Sequence, residues 1–325
     1  MATDVHPPNP LPSDILSTLH ERSVLVTGAN GFLGQYVCDS LRAAGAVLLT
    51  PGRSDLDLSK QAEVEAYFTA NTPEFVVHLA AECGGIGANL ENPGRYLYAN
   101  ALMGLMLIDA SRRYGVEKFV LISTTCAYPK DAPIPLREET IWDGPPVGAT
   151  GPYGLAKRLL HDALLAYKTQ YNFNGVVLVP ANLYGPGDHF QPDRSHVVPA
   201  MIRRYVDAKA EKHPFVINWG TGRPSREFLH ARDAAEAITL ALARHDDPNP
   251  VNLGTGVETP IAELAEHIAK HAEYEGELRW DTSKPDGQPR RCLDTSRAAV
   301  FGFQARTALS DGLKETISWY KKQIH

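Results

Sequence analysis

From residue 23 onward, short unbroken apolar runs alternate with longer segments whose apolar positions recur every three or four residues. A short run of branched apolar residues reads as a strand buried on both faces, and the longer recurrence reads as a helix with one apolar side. On that basis Ser23–Thr27, Ala46–Thr50, Phe75–Leu79, Lys118–Ser123 and Gly175–Pro180 are expected strands. Phe32–Ala44, Ser59–Ala70, Pro93 to Tyr114, and Tyr153 to Tyr171 are the helices expected among them. Strands and helices alternating at this spacing predict an α/β fold: a Rossmann-type doubly wound parallel sheet with right-handed crossovers.

Beyond Asn182 the spacing loosens and prolines and glycines become frequent. Short strands at Phe215–Trp219 and Arg226–Leu229, and helices at Ala231–Arg244, Ile261–His271 and Leu309–Tyr320, predict a smaller C-terminal α/β lobe. Val251–Thr255 reads as a strand that rejoins the main sheet. The expected division is a flexible extension over 1–22, with a short helix near Ile15–Leu19, followed by a dinucleotide-binding domain over 23–181. Residues 230–256 return to that domain, and 182–229 with 257–325 form a substrate-binding lobe.

Composition narrows the function classes. The 325 residues are 43% hydrophobic and 22% charged, as in an ordinary globular enzyme. A net charge of -6 without a long basic run argues against a nucleic-acid partner. Cys38, Cys83, Cys126 and Cys292 are scattered with no CxxC pair, which suggests reduced thiols in the cytoplasm and no metal site. No apolar run approaches the ~18 residues that would cross a bilayer, so no membrane role is expected.

Candidate chemistry begins at Gly28-Ala-Asn-Gly31-Phe-Leu-Gly34, between the first strand and its helix. The first glycine permits a tight turn, the second lets backbone approach a pyrophosphate, and the third allows the helix to sit close to the strand. The helix N-terminus then offers free N–H groups to phosphate. After the second strand there is no acid to hold a ribose 2′-hydroxyl. Arg53 stands there instead, suited to a 2′-phosphate, so NADP(H) is the expected cofactor. Asp57 is left between an adenine contact and a helix cap.

Tyr153 and Lys157 lie four residues apart on one helix, downstream of Thr124-Thr125-Cys126. An ammonium one turn away is expected to lower the phenol's pKa from ~10 and make it an acid or base. Thr124, at a strand end, is placed to bond the same carbonyl oxygen.

With these residues the chain resembles the extended short-chain dehydrogenase/reductase superfamily and, within it, the GDP-L-fucose synthase family. The resemblance runs from about residue 23 to 323 and rests on His78-Leu-Ala-Ala-Glu-Cys-Gly-Gly-Ile86, Thr124-Thr-Cys-Ala-Tyr-Pro-Lys130 and Asn182-Leu-Tyr-Gly-Pro186. Ser195-His-Val-Val-Pro199, Trp219-Gly-Thr-Gly-Arg-Pro-Ser-Arg-Glu-Phe228 and Lys284-Pro-Asp-Gly287 add to it. It implies a bifunctional enzyme that epimerises a GDP-4-keto-6-deoxy sugar at C3 and C5 and then reduces C4 with NADPH. The implied reductase residues are Thr124, Tyr153 and Lys157, and the implied epimerase residues are Cys126 and His196.

The resemblance places the cofactor against Gly28, Asn30, Gly31, Phe32, Leu33, Gly34, Arg53, Leu79, Ala80, Ala81, Tyr153, Lys157, Pro180, Asn182, Leu183 and His196. The sugar nucleotide falls on Asn182, Arg204, Trp219, Arg226 and Lys284, and a homodimer through the two long helices is implied. Two departures, Thr150-Gly151-Pro152 before the tyrosine and Ala127 after the cysteine, leave a related GDP-4-keto deoxyhexose or heptose as the alternative substrate. Epimerisation without net reduction is the alternative reaction. A regulatory protein that senses the cofactor without catalysis is disfavoured by the presence of both Tyr153 and Lys157.

Overall fold

The apolar runs become strands and the periodic segments become the helices that cover them. The computed structural model describes residues 8, 10–191, 195–284 and 286–324. A short helix α1 (Ser13–Leu19) precedes the buried strand β1 (Ser23–Thr27), and α2 (Phe32–Ala43) returns the chain to β2 (Val47–Leu49). Then come α3 (Gln61–Asn71), β3 (Phe75–His78), α4 (Ile86–Glu91), α5 (Pro93–Arg113), β4 (Lys118–Ile122), α6 (Gly151–Tyr171) and β5 (Gly175–Pro180). The second half runs through β6 (Asn182–Tyr184), α7 (Val197–Ala210), β7 (Phe215–Trp219), β8 (Ser225–Arg226), β9 (Phe228–His230) and α8 (Ala231–Arg244). It closes with β10 (Val251–Leu253), β11 (Thr259–Pro260), α9 (Ile261–Ala272), β12 (Glu277–Asp281) and α10 (Leu309–Ile324).

Six strands form one sheet in the order β10-β5-β4-β3-β1-β2. Every pairing in it is parallel, with Thr27 opposite His78 and Ile122 opposite Leu178. This is the Rossmann-type sheet expected from the sequence. Chain order reverses at β1, whose neighbours are β2 and β3, and the carboxyl ends of strands at such a reversal form a crevice for ligands. β10 completes the sheet from far along the chain, pairing with β5. The remaining strands pair two by two: β6 with β9, β7 with β12, and β8 with β11.

Two apolar cores support this arrangement. One lies around the large sheet and takes in α8 and β10. The other gathers Tyr184, Ile202, Leu264 and Leu313 from β6, α7, α9 and α10.

Several expectations need correction. The stretch over 1–22 is not loose throughout. Ile15 and Leu19 of α1 are fully buried in the larger core, and Arg244 grips Asp14 at 2.7 Å; residues 1–7 and 9 lie outside the described residues. The segment 257–325 does not belong wholly to the second lobe, because Leu293, Ala298, Phe301 and Phe303 pack in the first core. The strand expected over Arg226–Leu229 is split at Glu227, whose buried carboxylate accepts the amides of Gly256 and Leu293 at 2.7 Å. α3 starts later than Ser59, because Asp57 binds the Ser59 amide at 3.0 Å and its hydroxyl at 2.7 Å in a local turn; that also settles Asp57 as a turn former.

Candidate active site

The nucleotide end of the crevice is built by the glycine turn. Gly28 has φ +74°, and a Cβ there would stand 2.8 Å from the Ala80 amide nitrogen, so the turn lies directly on the loop after β3. A Cβ on Gly34 would meet the Gly28 carbonyl at 2.2 Å, so α2 presses against the turn. The N-cap of α2 makes no side-chain hydrogen bond and its first turn carries no acid, which leaves its amide groups for an anion. These residues fit a dinucleotide pyrophosphate. Arg53 is exposed just past β2, where Asp55 accepts the Gly52 amide at 2.9 Å. Leu79, Ala80 and Ala81, half-buried on the loop after β3, and Pro180 at the end of β5 with Asn182 and Leu183 beyond it line the same edge of the sheet.

Next along that edge is the end of β4. Thr124 caps a single 3₁₀ turn over Thr125–Ala127, its hydroxyl accepting the Cys126 amide at 3.1 Å. α6 is seated against this turn by Gly154, where a Cβ would stand 2.0 Å from the Cys126 carbonyl oxygen. That approach brings Tyr153, on the first turn of α6, beside the turn that carries Thr124 and Cys126. The helix begins at Gly151, two residues before Tyr153.

Lys157 is buried, and its ammonium donates to the Ile122 carbonyl at 2.8 Å. Burial pushes it down to about 8, opposed by the Cys83 thiol group. The expected lowering of Tyr153 is not found. Burial, with Cys83 and Cys126 adding to it, holds the phenol well above its usual range, and the lysine is turned to a carbonyl rather than to the phenol. A phenol that keeps its proton is suited to donate one.

By surface area Tyr153 is half-buried and Cys83 exposed, yet protein surrounds both at longer range, as on a cleft wall. Cys83 therefore belongs to this cluster. Its loop is pinned to α5 by Asn100, which accepts the Glu82 amide at 3.0 Å and donates to the Glu82 carbonyl at 2.8 Å.

The second lobe supplies cations. Arg226 donates to the carbonyls of Ser225 and Gln288, both at 2.7 Å, and burial together with Arg291 lowers its proton affinity. Arg291 reaches the Thr125 hydroxyl at 3.2 Å, tying its segment to the turn after β4. Two neighbouring guanidiniums beside that turn make a place for an anion. Arg291 was missed in the sequence, where Arg290-Arg291 reads as a surface pair; only the fold separates Arg291 from Arg290, which is bound to Glu258.

Farther out, Arg204 donates to the Ile217 carbonyl at 3.2 Å, and Trp219, 69% exposed, has the Lys284 ammonium 5.8 Å from its ring centre. Asp286 accepts the Thr221 amide at 2.8 Å, so the segments around Trp219 and Lys284 meet. His196 is the N-cap of α7, and burial, with His189 adding to it, lowers its imidazole and keeps it neutral at pH 7. Among the described residues no hydrogen bond joins His196 to Cys126 or Tyr153.

A parallel dinucleotide crevice with a phenol, an ammonium and a hydroxyl at its far end defines a nicotinamide-dependent oxidoreductase or epimerase. A family model described as "NAD dependent epimerase/dehydratase family" matches residues 24–254, and the chain belongs to that family. It is 36% identical over 312 residues to GDP-L-fucose synthase 1 of Arabidopsis thaliana, covering 95% of this chain and 97% of that one. It is 35% identical over 312 residues to GDP-L-fucose synthase of Escherichia coli (strain K12), covering 93% and 97%. Among solved structures, a GDP-L-fucose synthetase from Naegleria fowleri bound to NADP superposes with a TM-score of 0.84 at 25% identity, covering 98% of each chain. A GDP-mannoheptose C4 reductase from Campylobacter jejuni with NADP bound gives a TM-score of 0.84 at 28% identity, covering 93% of this chain and 98% of that one.

Proposed function

We propose that this chain converts GDP-4-keto-6-deoxy-D-mannose to GDP-L-fucose by 3,5-epimerisation followed by NADPH-dependent reduction at C4. The observation that carries the reading is the seating of α6 on the Cys126 carbonyl through Gly154. It sets a thiol, a phenol and a threonine hydroxyl around one site.

Thr124 and Tyr153 hold the C4 oxygen of the sugar. That polarises the ketone and makes the hydrogens on C3 and C5 acidic, because the charge left by proton removal spreads to the held oxygen. Cys126 takes each proton, and His196 returns one from the opposite face. His196 rests neutral, so it must gain a proton before delivering one, while Cys126 must lose one before accepting one. A proton passed from thiol to imidazole before each of the two inversions satisfies both needs. When bound, NADPH supplies hydride to C4. Tyr153, protonated at rest, then gives its proton to the developing alkoxide at C4, a far stronger base, and Lys157 keeps a positive charge below about pH 8. Arg204, Arg226, Arg291, Trp219, Lys284 and Asn182 take the GDP portion, and Arg53 takes the cofactor's 2′-phosphate.

The active form is a homodimer. Tyr98 and Leu105 on α5, and Leu155 and Leu159 on α6, are exposed although large and apolar, and those two helices pack on each other. Four free cysteines and a reaction that draws on NADPH suit the cytoplasm.

The test is incubation with GDP-4-keto-6-deoxy-D-mannose and NADPH, following NADPH absorbance and the stereochemistry of the product. GDP-L-fucose with one NADPH consumed per sugar is expected. Turnover only of a GDP-4-keto heptose moves the substrate to the alternative, and epimers formed without NADPH loss remove the reductase half.

A further inference from the structure

The inward face of α6 does not stop at Lys157. One turn farther, His161 is fully buried, and its Nε2 shares a 2.5 Å hydrogen bond with the Ser123 hydroxyl. Ser123 lies between Ile122, whose carbonyl takes the Lys157 ammonium, and Thr124, and its amide donates to the Leu178 carbonyl at 2.8 Å. Lys157 and His161, four residues apart on α6, therefore hold two consecutive residues at the end of β4, and Tyr153 lies one turn before them on the same helix. The other ring nitrogen, Nδ1, is buried and has no hydrogen-bond partner among the described residues.

We propose that His161 is a positioning residue for reduction: through Ser123 it fixes where the Thr124 hydroxyl stands relative to Tyr153, and it sets a polar ring one turn beyond the Lys157 ammonium. The inference rests on the reductase reading of Thr124, Tyr153 and Lys157. Burial, with Lys157 and Arg158 adding to it, pushes His161 down to about 3, so between about pH 3 and about pH 8 the ring is neutral while Lys157 is charged. The titratable groups facing this pair are Arg158 on α6, His78 on β3 and Cys83 on the following loop. His78 is itself buried and held well below its usual range, so it adds no charge at neutral pH. A polar but neutral ring next to a buried ammonium offers a dipole where an aliphatic side chain offers none.

The test compares His161→Leu, Ser123→Ala, the double variant and His161→Gln. The readouts are kcat and KM with NADPH and the sugar, NADPH binding by fluorescence, thermal melting, and the Lys157 titration by NMR of labelled lysine in the free protein. A small displacement of a catalytic hydroxyl is expected to cost about tenfold in kcat. KM and NADPH binding should change little, and the double variant should be no worse than the poorer single one, because both remove one link. The Lys157 midpoint should fall in His161→Leu, and His161→Gln, which can still bond Ser123, should recover most of the rate. If the variants only melt earlier while kcat and the Lys157 titration stay at wild-type values, or if the two penalties add, the inference is overturned. Should His161→Leu fail to fold, Ser123→Ala carries the comparison. Wild-type protein inactive on every GDP-4-keto sugar would remove the functional reading, and the Lys157 titration would still decide the positioning role.

Discussion

At Cys126 the proposal rests on a single sulfur. Cys126→Ser leaves the shape of the turn but replaces the thiol with a hydroxyl that scarcely ionises at neutral pH, so deuterium uptake at C3 and C5 in heavy water should fall about 10²–10⁴-fold. Tyr153→Phe should instead abolish NADPH consumption. Arg53→Ala should weaken NADPH about tenfold or more and leave NADH nearly unchanged, checked by titrating both cofactors. Asp188 gives a prediction about stability. It is buried, its Oδ2 has no hydrogen-bond partner among the described residues, and burial pushes it up to about 7 against the pull of the His189 amide. Its folded-state pKa lies above the ordinary value, so its favourable contribution is present below about pH 4 and lost as pH rises to about 7. Asp188→Asn should therefore melt higher at pH 8, by of order 1–3 kcal/mol, and flatten the pH dependence between those limits. That Tyr153 and Lys157 share one helix was legible from their spacing. The direction of the tyrosine's pKa was not, because it depends on how much water the fold removes and on where the lysine turns. Arg291 was illegible for a related reason: its role comes from reaching Thr125, 166 positions away.

The same limits show among the elements. β1, β3, β4 and β5 were readable because strands buried on both faces must be apolar throughout. β6 and β12 were not: Asn182–Tyr184 is too short to show a period, and Glu277–Asp281 has an exposed or half-buried side chain at every position. α4 is a single short helix with no capping signal in its first turn. Where elements touch without side chains between them, the contact can be tested directly. Gly154→Ala would push a methyl into the Cys126 backbone at 2.0 Å, and backbone cannot swing aside as a side chain can. The variant should bind NADPH normally yet lose about 10²-fold in kcat, since helix and catalytic turn must separate. Gly34→Ala meets the Gly28 carbonyl at 2.2 Å and should instead lose NADPH binding, measured by fluorescence quenching.

For the molecule as a whole, the outer faces of α5 and α6 are the place to look for a second copy. Leu155 and Leu159 are exposed at 48% and 43%, one helical turn apart. Charging both, as Leu155→Lys with Leu159→Glu, should give a monomer by light scattering, and an unchanged mass would remove the dimer proposal. The sheet order also governs how the protein comes into being. β10, the sixth strand, is encoded after β6 to β9 and α8. As the ribosome releases the chain, Leu178–Pro180 of β5 lack their partner strand until β6 to β9 and α8 have been synthesised. The six-stranded sheet is thus the first to begin and cannot finish first, and a chain cut at residue 181 is expected to carry an open strand edge.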